Sequence, residues 1–311
     1  MTKRKLVPAL IFALLAAFGG CSRDKPAEGR ITIGVSYQNL SNEFIINMQD
    51  ALRAKAKELN VNLIELDAQG RAENQISHCE NFLSRGVDAV ILNPEDQQGS
   101  APALALVVKA GKPVVVVNSL VANVKEANAY VGSDDTEAGR IAATEIMRRL
   151  GGKGQIAVLH GAYGHSAEVQ RSEGIRQVLA KFPAATIVSE QTGQWDRAKS
   201  LAVMENWLSS GRRIDAVIAQ NDEMALGAQE AIEGAGKQKQ ILVIGIDAIP
   251  DALRAVAAGK LAATLFQDSR GQGATAVELA AALAQGKSVP KQTFLPFQLV
   301  TADNVAKFMK P

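Results

Sequence analysis

The sequence predicts an α/β protein of two similar lobes, each a doubly wound parallel sheet covered by helices. Short apolar runs alternate with helix-like segments along most of the 311 residues, which is typical of parallel sheets with helices on both faces. The alternation starts again after a helix that follows Asp134-Asp135 and ends at Gly151-Gly152. This restart favours two lobes over one large sheet.

Each expected strand is a short run of mainly apolar residues, as in strands buried on both faces. In the first lobe we expect strands at Ile31–Ser36, Asn62–Leu66, Ala89–Asn93, Val114–Asn118 and Ala129–Val131. Helices are expected there at Glu43–Leu59, Asn74–Arg85 and Ala101–Ala110. In the second lobe, strands are expected at Gln155–His160, Thr186–Gln191, Ala216–Gln220, Ile241–Ile246 and Ala262–Phe266, with helices between them.

The first residues have the three-part form of an export signal. A basic start at Lys3–Lys5 precedes an apolar stretch, Leu6–Phe18, which is too short to favour a membrane span. Small residues before Cys21 resemble a bacterial lipoprotein cleavage box, although Phe18 stands where Leu is usual. We therefore predict a signal peptide at 1–20, a lipid on Cys21 and a linker at 21–29. Ordinary signal cleavage nearby is the alternative.

Composition excludes several classes of protein. A net charge of +2 suggests neither nucleic acid nor an acidic surface as a partner. With Cys21 committed to a lipid, Cys79 has no partner for a disulfide, and we expect it to be a small buried residue. The mature chain is long enough for two modest domains, and no later segment is long and apolar enough to cross a membrane.

Polar residues recur where the predicted strands end. At Asn221-Asp222 an apolar run stops and a helix starts, so either side chain could cap that helix or face a cleft. Because similar residues follow strands in both lobes, we expect Asn221 to contact a ligand and Asp222 to start the helix. The other polar residues near strand ends are Ser36–Asn42, Asn93, Asp96, Asn118-Ser119, His160, Arg171, Trp195–Arg197, Asp247 and Gln267.

These side chains suit an uncharged polyhydroxyl ligand. Amides, carboxylates and an arginine offer paired donors and acceptors to adjacent hydroxyls. Trp195 and Phe44 could pack on the C–H face of a sugar ring, whereas Trp207 lies at the helical spacing of a core residue.

The sequence gives little support for catalysis, a metal or a nucleotide. It contains no nucleophile elbow, P-loop or dinucleotide-binding glycine motif. His160 and His165 are not at a spacing typical of metal ligands. Asp134-Asp135 or Asp222 with Asp247 could serve glycoside hydrolysis, but caps and ligand contacts explain them more simply. We predict no enzymatic activity, no metal and no cofactor.

From about Ile31 to Asn304 the chain resembles the ribose-type periplasmic sugar-binding proteins of ABC importers. The strongest matches are Ala219–Gly227, Gly245–Asp251 and Gly259–Thr264 with Gln267; weaker ones include Asn42–Phe44 and Ser133–Asp135. The resemblance implies two lobes joined by a hinge of three crossings, at Ser133-Asp134, Gln267-Asp268 and near Thr293–Phe297. It gives lobes at 30–133 plus 268–294 and at 134–267 plus 295–311.

The resemblance also implies a set of ligand contacts. They fall on Asn42 and Phe44 in the first lobe and on Arg171, Trp195, Asn221, Asp247 and Gln267 in the second. Asn118-Ser119 stands where ribose binders usually carry Asp-Arg, and the loop Ser36–Asn42 is longer than usual. We therefore expect Asn118 and Ser119 to determine ligand identity, and another pentose, a hexose, a sugar alcohol or a cyclitol to be as good a candidate as ribose.

The function expected is capture of a small sugar or polyol between two lobes, followed by delivery to an ABC permease. The protein would be a monomer in the periplasm or at the outer side of the cytoplasmic membrane, and it could also signal to a chemoreceptor. One rival is the effector core of a lactose-repressor-type regulator, but an export signal stands where a DNA-binding module is needed. The other is an exported sugar-acting enzyme.

Overall fold

The computed structural model describes residues 29–309, so the predicted signal peptide and Cys21 lie outside the described residues. The strands are β1 Thr32–Tyr37, β2 Asn62–Asp67, β3 Ala89–Leu92, β4 Val114–Asn118, β5 Ala129–Gly132, β6 Lys153–His160, β7 Ala184–Thr192, β8 Ala216–Ala219, β9 Leu242–Ile244, β10 Thr264–Phe266, β11 Gln292–Phe294 and β12 Gln298–Val300. The helices are α1 Glu43–Glu58, α2 Ala72–Ser84, α3 Ala101–Lys109, α4 Asp135–Leu150, α5 Ser166–Leu179, α6 Arg197–Ser209, α7 Asp222–Gly234, α8 Pro250–Ala257 and α9 Ser269–Ala284.

Two separate sheets define two lobes. The N-lobe holds a six-stranded parallel sheet in the order β11-β5-β4-β3-β1-β2, and the C-lobe holds a four-stranded parallel sheet in the order β7-β6-β8-β9. In each sheet the chain adds strands first on one side of a central strand and then on the other, and this central strand is β1 in the N-lobe and β6 in the C-lobe. Such a switch in strand order places ligand sites at the carboxyl ends of the strands. The predicted α/β fold of two doubly wound lobes is confirmed.

Strand β4 shows why the apolar runs form buried strands. Val115 and Val117 face a core shared with α1 and α9, whereas Val114 and Val116 face a second core shared with α2 and α3. All four valines are fully buried. Successive strand side chains point to opposite faces, so a run of four valines fills both cores at once.

The chain passes between the lobes three times. It leaves the N-lobe sheet after β5, returns after β10 to α9, which packs on α1, and leaves again between β11 and β12. These passages coincide with the three expected crossings. The lobe boundaries at 133/134, 267/268 and 294/295 stay a prediction.

The edge of the C-lobe sheet differs from the expected parallel strands. Strand β10 is only three residues long and pairs antiparallel with β12, and isolated bridges at Ala263 and Phe266 connect it to the neighbouring strand. Strand β9 ends at Ile244, before its apolar run ends at Ile246, and beyond that run Asp247 and Ala248 have φ of 127° and 57°. Among residues 29–309 no helix is both long and apolar enough to span a membrane.

Candidate functional site

A small chamber lies where the carboxyl ends of the two sheets face each other. Its volume is about 30 Å³, and it is lined by Gln38, Asn42, Phe44, Ile45, Asn118, His165, Ala167, Arg171, Trp195, Asn221, Asp247 and Gln267. We call this the inner chamber. Eight of the nine residues predicted as ligand contacts line it, and the ninth, Ser119, lies directly behind it. The structure therefore brings together side chains separated by more than 200 residues in sequence.

The inner chamber opens toward a much larger groove between the lobes. This outer cleft has a volume of about 1090 Å³ and shares Gln38, Asn42 and Trp195 with the inner chamber. Typical small-molecule sites measure roughly 300–1,000 Å³, so the inner chamber alone is too small for a sugar ring. Binding there requires the lobes or their side chains to separate first.

The polar groups on the N-lobe side of the inner chamber are all neutral, and Phe44 and Ile45 lie beside them. Asn118 has φ 65°, a conformation that asparagine tolerates better than most residues, and its Nδ2 donates to Gln272 Oε1 at 3.1 Å. Ser119 Oγ donates to Gln38 Oε1 at 3.1 Å. We call the neutral groups Gln38, Asn42, Asn118 and Ser119 the N-lobe wall.

Two asparagine side chains each cap a helix and also line the inner chamber. Asn42 Oδ1 accepts from Phe44 N–H at 2.9 Å, and Asn221 Oδ1 accepts from Met224 N–H at 3.0 Å, so each caps a helix. The Asn221 Nδ2 group makes only a long bond of 3.4 Å to the Trp195 carbonyl. A side chain that caps a helix can therefore still offer an N–H group to a ligand.

The expected roles of Asn221 and Asp222 need a correction. Asn221, and not Asp222, caps α7. The Asp222 carboxylate points away from its own helix, accepting from Ile249 N–H at 3.0 Å and from Thr264 Oγ1 at 2.6 Å. It thereby holds the start of α8 and the strand β10 together.

Arg171 is the centre of the charged side of the inner chamber. Its Nε donates to Asp135 Oδ1 at 2.8 Å, its Nη1 donates to the Gln220 carbonyl, and its Nη2 donates to Gln267 Oε1 at 3.2 Å. Arg171 and Asp135 are both buried. The guanidinium plane is thus fixed by three partners before any ligand is present.

Asp247 brings a second charge into the same place. Asp247 is largely buried and lines the inner chamber, and no residue within 29–309 donates a hydrogen bond to its carboxylate. Burial raises the pKa of Asp247 well above its usual range, and Asp222 adds to this, although Arg171 opposes it. A ligand hydroxyl would supply the donor that this carboxylate lacks.

Trp195 is held in an unusual backbone conformation, with φ 61°. The centroid of its ring lies 5.8 Å from the Arg171 guanidinium carbon. It lies 5.2 Å from the centroid of the His165 ring, and the two rings meet edge-on. The indole Nε1 is buried and has no partner among the described residues, and the same is true of Gln267 Nε2. Arg171, Trp195, Asn221, Asp247 and Gln267 form the C-lobe wall.

Sequence reasoning missed Gln38, Ile45, His165 and Ala167 as lining residues. It placed Gln38 only within a loop and considered His165 only as a metal ligand. His165 Nδ1 accepts from Ala167 N–H at 3.2 Å and so caps α5. Within the described chain, no group of three or more His, Cys, Asp or Glu side chains is arranged to hold a metal ion.

Several other polar strand-end residues serve structure. Asn93 is fully buried and bonds the Val117 carbonyl and the Gln38 N–H, each at 3.3 Å. His160 lies 2.9 Å from Glu168 and 3.2 Å from Glu190, outside the inner chamber. As expected, Trp207 packs in a core and Cys79 is buried.

Several known proteins are similar to this chain over most of its length. A solved structure of an ABC transporter solute-binding protein from Bacillus halodurans C-125, with bound myo-inositol, has 40% identity and a TM-score of 0.88, covering 92% of this chain and 99% of that chain. A candidate rhizopine-binding protein of Rhizobium meliloti is 39% identical, covering 89% of this chain and 92% of that protein. The ribose import binding protein of Bacillus subtilis is 34% identical, covering 96% of this chain and 99% of that protein. Residues 33–288 match the periplasmic binding protein domain family, and the chain therefore belongs to this family of binding proteins.

Proposed function

We propose that this protein captures a small polyol between its lobes and delivers it to an ABC-type permease. The single observation that carries the proposal is the inner chamber, where Arg171, Asp247 and Gln267 of one lobe meet Asn42 and Asn118 of the other. Contacts from both lobes exist together only when the lobes are closed, so a polyol bound there favours closure. The permease would then distinguish the closed form from the open one.

A cyclitol is our first choice of ligand, before a pentose, a hexose or a linear sugar alcohol. The solved structure with 40% identity holds myo-inositol, which presents a hydroxyl on every ring carbon. In this chain the neutral Asn118 and Ser119 replace the Asp-Arg pair expected of ribose binders. A neutral amide both donates and accepts, so it suits a ring that offers hydroxyls of equal kind on all sides.

A thermal-shift screen of the mature protein against myo-inositol, ribose, other pentoses, hexoses and sugar alcohols tests this proposal. A ligand that binds only the native state raises Tm in proportion to RT ln(1 + [L]/Kd), so the tightest ligand gives the largest shift at equal concentration. We expect myo-inositol to give the largest shift. A larger shift with ribose would contradict the choice of ligand, and no shift with any polyol would contradict the function.

Two variants locate the site within the same screen. Asp247→Ala should abolish the shift, because it removes the carboxylate without a partner. Asn221→Ser keeps a helix-capping oxygen but removes the amide N–H groups, so it should lose most of the shift without the roughly 1 kcal/mol cost of losing a cap. Asn206→Ala, on the exposed face of α6, is the matched control and should respond like the wild type.

We further propose export to the periplasm and a lipid anchor on Cys21, a monomeric state, and the absence of enzymatic activity. The export signal in the sequence and the membership of the family of periplasmic binding proteins support the location. Labelling with a palmitate analogue in the producing cells tests the anchor. The label should be present in the wild type and lost in Cys21→Ala, and retention of label in the variant would contradict the anchor.

A further inference from the structure

Three consecutive residues at the start of α5 connect the C-lobe to the N-lobe. Gln97 N–H donates to the Gly164 carbonyl at 2.9 Å, and Leu120 N–H donates to Ser166 Oγ at 2.7 Å. Between them, His165 Nε2 lies 2.9 Å from Gln38 Oε1 and 2.9 Å from Ser119 Oγ. His165 is buried between the lobes and lines the inner chamber. It is therefore placed to sense both closure and the ligand.

The hydrogen bonds of His165 define one tautomer. Because Nδ1 accepts from Ala167 N–H, the single ring proton of the neutral form is on Nε2. The Nε2–H group then donates across the lobe boundary to the oxygens of Gln38 and Ser119. A second proton on Nδ1 would face the Ala167 N–H and the positive end of α5, so the charged ring does not fit this arrangement.

The charged groups around His165 either disfavour the protonated ring or lie beside other residues. Arg171, on the same helix, lines the chamber and disfavours a second positive charge. Of the nearby carboxylates, Glu168 bonds His160, Asp96 lies against Gly164, and Asp247 follows β9 on the C-lobe side of the inner chamber. The hydrogen bonds of the His165 ring go to Gln38, Ser119 and Ala167. Burial, and then Arg171, lowers the pKa of His165 to about 3 in the closed state.

We propose that His165 is a latch between the lobes, a positioning residue that holds the closed state only as the neutral ring and thereby releases the ligand at acid pH. This rests on the proposed function, because the latch acts on a ligand enclosed in the inner chamber. The His165 ring also packs edge-on against Trp195. If the His165 ring moves away, Trp195 in the C-lobe wall therefore loses a packing contact.

The direction of the pH effect follows from the two states. With the lobes open, His165 loses its contacts with Gln38 and Ser119 and is hydrated, so its pKa rises from the closed-state value toward the ordinary one of about 6.5. Closure is then fully supported above this pH and is progressively lost below it, as the open state binds a proton that the closed state rejects. Between pH 7.5 and pH 5.5, this difference in pKa between the two states increases Kd by up to about tenfold.

Calorimetric titration with myo-inositol at pH 7.5 and pH 5.5 tests the latch. The wild type should show an increase in Kd of up to about tenfold, whereas His165→Gln, which lacks the titrating ring, should show a smaller increase, because Asp247 is present in both proteins. His78→Gln is the control, because His78 lies on α2 outside the inner chamber, and it should keep the dependence of the wild type. An equal pH dependence in the wild type and His165→Gln would overturn the proposal.

A second variant separates the latch from the cap. His165→Asn keeps a strong helix-capping group, but its side chain is too short to reach Gln38. At pH 7.5 its myo-inositol should dissociate about tenfold faster than from the wild type, with an unchanged circular dichroism spectrum. An unchanged dissociation rate would also overturn the latch.

Failure of the proposed ligand is distinguishable from failure of the latch. If myo-inositol does not bind the wild type, the choice of ligand is wrong, and small-angle scattering of the ligand-free protein then tests the latch. The radius of gyration should increase from pH 7.5 to pH 5.5 in the wild type but not in His165→Gln. The same change, or no change, in both proteins would overturn it.

Discussion

The two walls of the inner chamber differ in the kind of polar group they present. The N-lobe wall offers amides and a hydroxyl, all neutral, whereas the C-lobe wall contains Arg171 and Asp247 and is braced by Asp135. Hydrogen bonds to charged groups are roughly twice as strong as neutral ones. We therefore expect the C-lobe to hold most of the binding free energy and the N-lobe to select among ligands as it closes.

The largest test of this comparison removes the cation from the C-lobe wall. Arg171→Met leaves Asp135 buried without its partner, which costs roughly 3–5 kcal/mol of the free energy of unfolding and should abolish polyol binding. Urea denaturation measures the first effect and calorimetry the second.

The matched control for Arg171→Met lies on the same helix. Arg176 pairs with Glu190 at 2.8 Å, but both side chains are largely exposed, so Arg176→Met should change stability by less than about 1 kcal/mol. Equal losses in the two variants would contradict the assignment of the binding free energy to the buried pair.

A test of intermediate size concerns the Asp247 carboxylate. Burial raises its pKa in the folded state, so its contribution to stability is fully present below the unfolded pKa and is lost as pH rises through the folded pKa. Asp247→Asn should therefore be more stable than the ligand-free wild type at pH 8, by about 1–3 kcal/mol, because the amide avoids the desolvation cost of a buried negative charge. Chemical denaturation at pH 8 and pH 5 should show this difference shrinking on acidification. A difference that grows on acidification would contradict the role given to this carboxylate.

The smallest effect is expected on the N-lobe wall. Asn118→Asp suits the φ of 65°, but it replaces the Nδ2 donor by an oxygen that faces Gln272 Oε1. Since the Gln272 amide can rotate, we expect only about a tenfold loss of myo-inositol affinity, with the free energy of unfolding changed by less than about 1 kcal/mol. If Asn118→Asp lost as much myo-inositol affinity as Arg171→Met, the C-lobe wall would not hold most of the binding free energy.

Much of the fold was predictable because β4 and similar strands are continuous apolar runs that fill two cores. The antiparallel pairing of β12 with β10 was not, because three residues at Gln298–Val300 carry no periodic signal. The charged side of the inner chamber was predictable because Asp247 and Gln267 lie in stretches that match the family, and the resemblance also implies Arg171 as a ligand contact.

His165 and Gln38 were missed because their roles depend on a contact between lobes, 127 residues apart in sequence. One local signal existed, since His165 directly precedes a helix and follows a glycine. The role of Asp222 could not be seen in sequence, because its carboxylate bonds Ile249 and Thr264 on later elements and leaves the cap of α7 to Asn221.

The shared use of Asn42, Asn221 and His165 as helix caps has a consequence for redesign of this protein. At these three positions a change made to accept a new ligand must also keep a side chain that can cap a helix. Asn118, Trp195 and Gln267 cap no helix, so libraries that vary them can explore new ligands while the helices of both lobes keep their starting residues.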